Sequence, residues 1–267
     1  MKTYQLTLGL AGALALTVSG CGVLDAADEP KATGASQTSP TKVSVATPRD
    51  ALLQAVPDAK VGAYAFDIKG GVTPVSGMLD APHKTTQVKA VHSEDGITLT
   101  MHALAIADKG WMKMSLTGVP DGFPAIPKKW MLIDPAKVKD KDDAPVGYND
   151  ETDPGYTALI VQNSAGVKET TAGHYAGTTD LTASTDAEIV EDATLTALGA
   201  KAKAVPFEAV IGPEGHLSLL TVKIPAAGKA KATTYKVTYA GFGKTATPKA
   251  PTDTAKPTDT VYEMLNS

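Results

Sequence analysis

Three short turn signals, Gly70-Gly71, Asp95-Gly96 and Asp108-Lys109-Gly110, each separate two strand-like segments, and this spacing constrains the fold more than any other feature of the chain. Such pairs tolerate the positive φ of tight hairpins, and a connection that short joins only antiparallel neighbours. The intervening segments predict strands over 61–69, 72–79, 86–92, 97–107 and 111–116, an antiparallel meander. A sixth strand is expected at 129–133, after a Pro-rich loop over 117–128 (TGVPDGFPAIPK).

Helical signals flank this meander. Before it, Thr47 suits an N-cap, Pro48 the first helical position and Asp50 the first turn, and Ala51, Leu52, Ala55 and Val56 share a face before Pro57 stops the helix. After it, 134–152 is a polar acidic loop and Asp153-Pro154 starts a helix expected over 153–165. Strands follow at 167–171 and 173–181. Thr185-x-x-Glu188 reads as a capping box opening a helix over 185–198, closed by Gly199. Three more strands, 205–211, 217–224 and 233–239, precede a Thr/Pro/Lys-rich stretch, 244–260, expected to be disordered or loosely laid on the surface. About ten or eleven strands and three helices without βαβ alternation predict an α+β fold: one large antiparallel sheet with the helices on one face.

The N-terminus reads differently. A basic start at Lys2, an uncharged run over 6–18 of about 13 residues, too short for the ~20 a membrane span needs, and small residues at its end describe a secretory leader. It ends Val18-Ser19-Gly20-Cys21, which resembles the lipobox of bacterial lipoproteins, in which the Cys thiol is acylated and the chain is cut before it. An ordinary signal peptide ending in a chance Cys is the alternative. Cys21 is the only Cys, which leaves no internal disulfide and no cysteine-based zinc site. The expected organisation is a signal peptide over 1–20, lipidated Cys21 and a disordered tether over 21–47, a folded domain over 48–244 and a tail over 245–267. The tether gives a reach on the order of 25–30 Å.

Net charge −4 speaks against nucleic-acid binding, which needs surplus cations. Arg49 is the only Arg, so bidentate recognition of phosphate or carboxylate is nearly absent. The chain has no G-x-S-x-G, H-E-x-x-H, Walker A or G-x-G-x-x-G motif. His83, His92, His102, His174 and His216 lack ligand spacing, although His92 and His102 could meet across the Asp95-Gly96 hairpin. The acidic run through Asp140, Asp142, Asp143, Asn149, Asp150, Glu151 and Asp153 lacks Ca²⁺-loop spacing and reads as a solvated loop. No catalytic residue, metal or cofactor is expected.

Strand periodicity places Tyr64, Phe66 and Ile68 on one face. Leu99 and Met101 lie on one face of their strand and Leu104 and Ile106 on the other, which predicts an irregularity between them. Met78, Met101, Met112, Met114 and Met131 all fall in the N-terminal half. Met lines adaptable apolar pockets, and it also serves as ordinary core filler.

Three stretches, 129–134 (KWMLID), 173–181 (GHYAGTTDL) and 239–243 (YAGFG), together with the lipobox, tether, short helix and meander, resemble the LppX/LprAFG (LprG-like) family of actinobacterial envelope lipoproteins, within the LolA/LolB-like lipid carriers. The resemblance spans roughly 51–243. It implies a half-barrel: a large curved sheet with helices across its concave face and an apolar cavity for acyl chains between them. The expected cavity walls are Tyr64, Phe66, Ile68, Met101, Met112, Met114 and Leu220, facing the helices at 153–165 and 185–198, with the 117–128 loop, through Phe123 and Ile126, as rim. The implied function is a carrier or chaperone of envelope lipids or glycolipids, anchored to the extracytoplasmic face of the cell membrane. The alternative is a structural or sensory envelope lipoprotein with a filled core and a protein partner.

Overall fold

A computed structural model describes residues 46–141 and 144–266. The expected signal peptide, Cys21 and the tether up to residue 45 lie outside the described residues, as do Asp142, Asp143 and Ser267.

The hairpin sequence gives six strands in order: β1 (Tyr64–Lys69), β2 (Val75–Asp80), β3 (Thr85–Glu94), β4 (Ile97–Ile106), β5 (Lys109–Thr117) and β6 (Trp130–Leu132). A second run comprises β7 (Ser164–Thr171), β8 (His174–Thr179), β9 (Val205–Ile211), β10 (Leu217–Ile224) and β11 (Thr233–Ala240), and β12 (Thr254–Ala255) comes last. Pairing of β11 with β1 fuses the two runs into one open twelve-stranded sheet, ordered β12-β6-β5-β4-β3-β2-β1-β11-β10-β9-β8-β7. Every pairing is antiparallel except β12 with β6, so the sheet is mixed. Four α-helices accompany it among the described residues: α1 (Pro48–Ala55), α2 (Thr157–Gln162), α3 (Asp192–Leu198) and α4 (Asp259–Leu265). The fold is α+β.

Local chemistry explains the elements. Asp95 and Gly96 both adopt positive φ (48° and 82°), as a two-residue hairpin between β3 and β4 demands. Thr47 and Asp50 form a reciprocal capping box on α1, with Pro48 inside the first turn. Arg49, the one guanidinium, donates to the carbonyls of Val161 (3.2 Å) and Gln162, capping the C-terminus of α2.

Several sequence expectations need correction. Gly70-Gly71 is not a two-residue turn: the loop runs over 70–74, and Gly70 (φ 76°) is needed because a Cβ there would lie 1.9 Å from the Thr234 carbonyl oxygen of β11. The turn between β4 and β5 is Ala107-Asp108, with Ala107 at φ 52°, and Lys109 already belongs to β5. β4 carries no irregularity: its register runs unbroken from Thr85↔Ile106 to Glu94↔Ile97. The Thr185-x-x-Glu188 box does not form. Residues 185–187 make one 3₁₀ turn, Glu188 sits at φ 44°, and α3 begins only at Asp192, although Gly199 does end it. The left-handed Glu188 turns the chain so that Ala187 and Ile189, on either side of it, are both buried.

The tail requires the largest correction. Thr247 donates to buried Asp80, and Pro248 and Pro251 cross beside Leu104 and Trp130. β12 then pairs with the edge strand β6, and α4 buries Val261 and Tyr262 among Met112, Met114 and Met131. The tail thus straps around the sheet edge and belongs to the domain.

The core divides in two. One cluster joins α1, α2, α3, β1 and β8–β11 around Tyr64, Phe207, Leu220 and Tyr239. The other joins β5, β6 and α4 around Met112, Met114, Met131, Ile133, Val261 and Tyr262.

Candidate functional site

Register places all seven expected wall residues on one face. A single cross-strand row reads Leu220↔Val237↔Ile68↔Val75↔Ala90↔Met101↔Met114, apolar at every position. The adjacent row reads Tyr239↔Phe66↔Gly77↔Val88↔Ala103↔Met112↔Met131, and Tyr64 lies one row further, opposite Leu79. Six strand spacings separate Leu220 from Met114, about 29 Å along the sheet at ~4.8 Å each. The residues therefore share a surface without forming one compact pocket.

Their environments differ. Tyr64 and Leu220 are wholly buried, and Phe66 and Ile68 nearly so, in the cluster under α1–α3. Met112 and Met114 are buried beneath α4, and Met101 is half-buried beside them. The seam between the clusters is built from Gly77, Ala90 and Ala103, which fill little space, with half-buried Val88 alongside. Four of the five Met residues share this face. Met78 pairs with Gln87 and points to the other.

A hollow of about 260 Å³ lies at the Met114 end, between Met114, Leu116 and the 117–128 loop, with Val119, Phe123, Pro124 and Ile126 on its wall. Phe123 is 41% exposed at its mouth. The loop expected to form a rim does border this hollow. Leu116 aligns with Met112 and Met114 at period two in the sequence but is not among the expected wall residues, and Val119 and Pro124 lie in the expected rim loop without being singled out there. A second hollow, about 250 Å³ and more polar, lies between Ile68, Tyr156, Glu188 and Tyr235.

The helix at 153–165 is shorter than expected, and the reason is a buried polar network. Asp153 accepts from the Thr157 hydroxyl (2.9 Å), the Ala158 amide (2.7 Å) and the Tyr239 hydroxyl. Tyr239 also accepts from the Gly155 amide (3.2 Å), Tyr235 donates to the Gly155 carbonyl (3.1 Å) and Tyr64 donates to the Thr152 carbonyl. Three sheet tyrosines thus hold 152–155 non-helical, and α2 begins at Thr157. Burial raises the Asp153 pKa, against the opposing pull of its hydrogen bonds. Burial, and then the Asp153 carboxylate, raise those of Tyr64, Tyr235 and Tyr239. Tyr64 packs edge-on against Tyr239 with centroids 5.5 Å apart. Every polar group in this network is matched inside the fold, which identifies it as scaffolding.

His92 and His102 do not meet. His92 lies opposite Leu99 and His102 opposite Lys89, so they occupy different faces of the sheet. Asp80 is a second buried carboxylate. Burial acts to raise its pKa, but the hydrogen bonds from Thr247 and His83 (2.9 Å) and the His83 charge hold it below the usual range. Among the described residues no group of His, Cys, Asp and Glu is arranged to hold a metal ion, and no helix is long and apolar enough to cross a membrane. The chain matches no protein-family model and no curated protein.

Proposed function

We propose that this protein is a non-catalytic envelope lipoprotein, anchored through Cys21 to the extracytoplasmic face of the cell membrane, that takes acyl chains of envelope lipids or glycolipids on the helix-bearing face of its sheet. In this reading the open sheet is curved as a half-barrel and that face is its concave side. The observation that carries the proposal is the unbroken apolar row from Leu220 to Met114, ending at the hollow beneath the 117–128 loop. Along its ~29 Å, Leu220, Val237, Ile68 and Met114 are buried in the two clusters, and an acyl chain would lie over the half-buried stretch of Val75, Ala90 and Met101 between them. Uptake would gain about 25 cal/mol per Å² of apolar surface buried, with little polar readout. The resemblance to the LppX/LprAFG lipoproteins supports the same function.

The hollow is slightly smaller than the roughly 300–1,000 Å³ usual for ligand pockets, so the chain's end would occupy it while the rest lies over the Ala90–Ala103 seam. The complete burial of Tyr64 and Leu220 favours the second reading, a filled core with a protein partner. Native mass spectrometry of the detergent-extracted full chain separates the two. The carrier reading expects a non-covalent lipid mass that a denaturing spectrum lacks and that Leu116→Trp removes without lowering the Tm by more than a few degrees. A native spectrum showing only the chain and its covalent acyl groups would remove the carrier reading. Cys21→Ser tests the anchor separately: unprocessed or soluble protein is expected, and normal membrane retention would refute the attachment.

A further inference from the structure

On the face turned away from the helices, register sets His102 of β4 directly opposite Lys89 of β3 on one side and Lys113 of β5 on the other. Directly opposite positions hold Cβ atoms about 4.5–5.5 Å apart, so the two lysines flank His102 at roughly 10 Å from one another. Elsewhere on this face Lys223 bridges to Glu208 and Lys69 to Asp67 at 3.1 Å, while Lys236 stands opposite Lys69. Along the row the nearest carboxylate is Asp67, two strands from Lys89 and already engaged. His102 is half-buried; burial, and then the Lys89 and Lys113 ammonium groups, push its pKa down.

The surroundings are shaped as well as charged. The Trp130 indole meets the His102 ring edge-on, with centroids 6.5 Å apart. A shallow hollow of about 430 Å³ opens beside Lys89 and His102, with Asp67, Ser76 and Gln87 also on its wall. Lys249 of the tail reaches the neighbouring surface beside Gln87 and Trp130, and Asp253 there is bound to Lys129 at 2.7 Å.

We propose that Lys89, His102 and Lys113 form a binding site for a phosphate group. Two Lys side chains converging from the outer strands supply point charges, and His102 between them donates through a ring nitrogen, so three donors meet a tetrahedral oxyanion. Trp130 offers an apolar wall to whatever carries the phosphate. The site lies on the opposite face from the apolar row and stands whether or not that row binds acyl chains. A free phosphate and the headgroup of an anionic phospholipid present the same chemistry.

The His102 ring is its own reporter, because a bound dianion reverses the field of the two lysines. NMR titration of the His rings in the full chain, with inorganic phosphate against sodium chloride at equal ionic strength, tests the free source. The same titration with phosphatidylglycerol vesicles against phosphatidylcholine vesicles tests the headgroup. The expected result is a rise in the His102 pKa of roughly one unit, well beyond that of the other histidines, lost in the Lys89→Gln/Lys113→Gln variant. A response to vesicles alone assigns a lipid headgroup, and a response to phosphate assigns a free or general phosphate ligand. If neither phosphate nor phosphatidylglycerol moves His102 beyond its control, or the double variant responds like the parent, the site does not exist.

Discussion

The two halves of the helix-bearing face solve the same burial problem with different materials. Under α1–α3, aromatic and β-branched residues such as Phe207, Val222, Val237 and Tyr239 interlock, and tyrosine hydroxyls tie the connecting loop down. Under α4, the contacts are thioethers on β5 and β6 against a seven-residue helix contributed by the tail. Stiff, branched side chains specify one packing, whereas unbranched Met refills an altered space at small cost. The first half is therefore built as scaffold and the second as the part able to change its contents.

The comparison can be broken in three places. Phe207→Ala opens a void among residues that cannot collapse into it; a loss of about 3–5 kcal/mol and a Tm lower by roughly 6–20 °C are expected in thermal melts. A change under 1 kcal/mol would show that this half is as plastic as the other. Deleting 246–267 removes Val261 and Tyr262 from the methionine cluster and should cost about 2–4 kcal/mol, offset partly by the freed entropy of the tail. Methyl resonances of Met112, Met114 and Met131 should move while those of Leu220 and Val237 stay. Shifts spread evenly over both sets would mean that the clusters form one cooperative core.

The smallest effect is in pH. The folded-state pKa of Asp153 is raised, so its contribution is present below the unfolded carboxylate value and lost as pH rises through the folded one. That of Asp80 is lowered, so its contribution is present above the unfolded value and lost as pH falls through the folded one. Acidification from neutral to about 4 should tighten 152–158, and further acidification should loosen the tail. Amide exchange at Ala158 and Val261, corrected for intrinsic rates, reads the two separately; parallel responses would contradict the assignment.

Much of the sheet was legible in the sequence because period-two burial leaves a direct mark. β9 and β10 match their expected ranges, and the shared face of Tyr64, Phe66 and Ile68 follows from alternation alone. The errors have physical causes. Leu104 suggested an irregular strand, but the strand is regular and the tail shields that residue on the far face. Thr185-x-x-Glu188 matched a local motif that lost to the burial of Ala187 and Ile189. The tail looked like a linker because Thr, Pro and Lys dominate 244–257. Within it, Thr258-Asp259 ahead of Val261, Tyr262 and Leu265 is a helix start with apolar spacing, a signal too short to outweigh its surroundings. For the site, the sequence conveyed which residues share a face, but not that six strand widths part them, because strand order depends on β1 pairing with β11 across most of the chain.

The strap also has a consequence in time. β12 and α4 follow in the chain every residue they cover. In a chain delivered N-terminus first, the whole second run of strands, β7 to β11, arrives between β6 and α4. Until α4 arrives β6 is a bare edge with unpaired backbone groups, bordered by uncovered methionines, the kind of surface that nucleates aggregation. The opposite border, β7, meets the same hazard alone, through two register shifts that disrupt its ladder and through Lys168 and Glu169 along its length. One margin of the sheet is guarded from the moment it forms; the other waits for residues that come last in the chain.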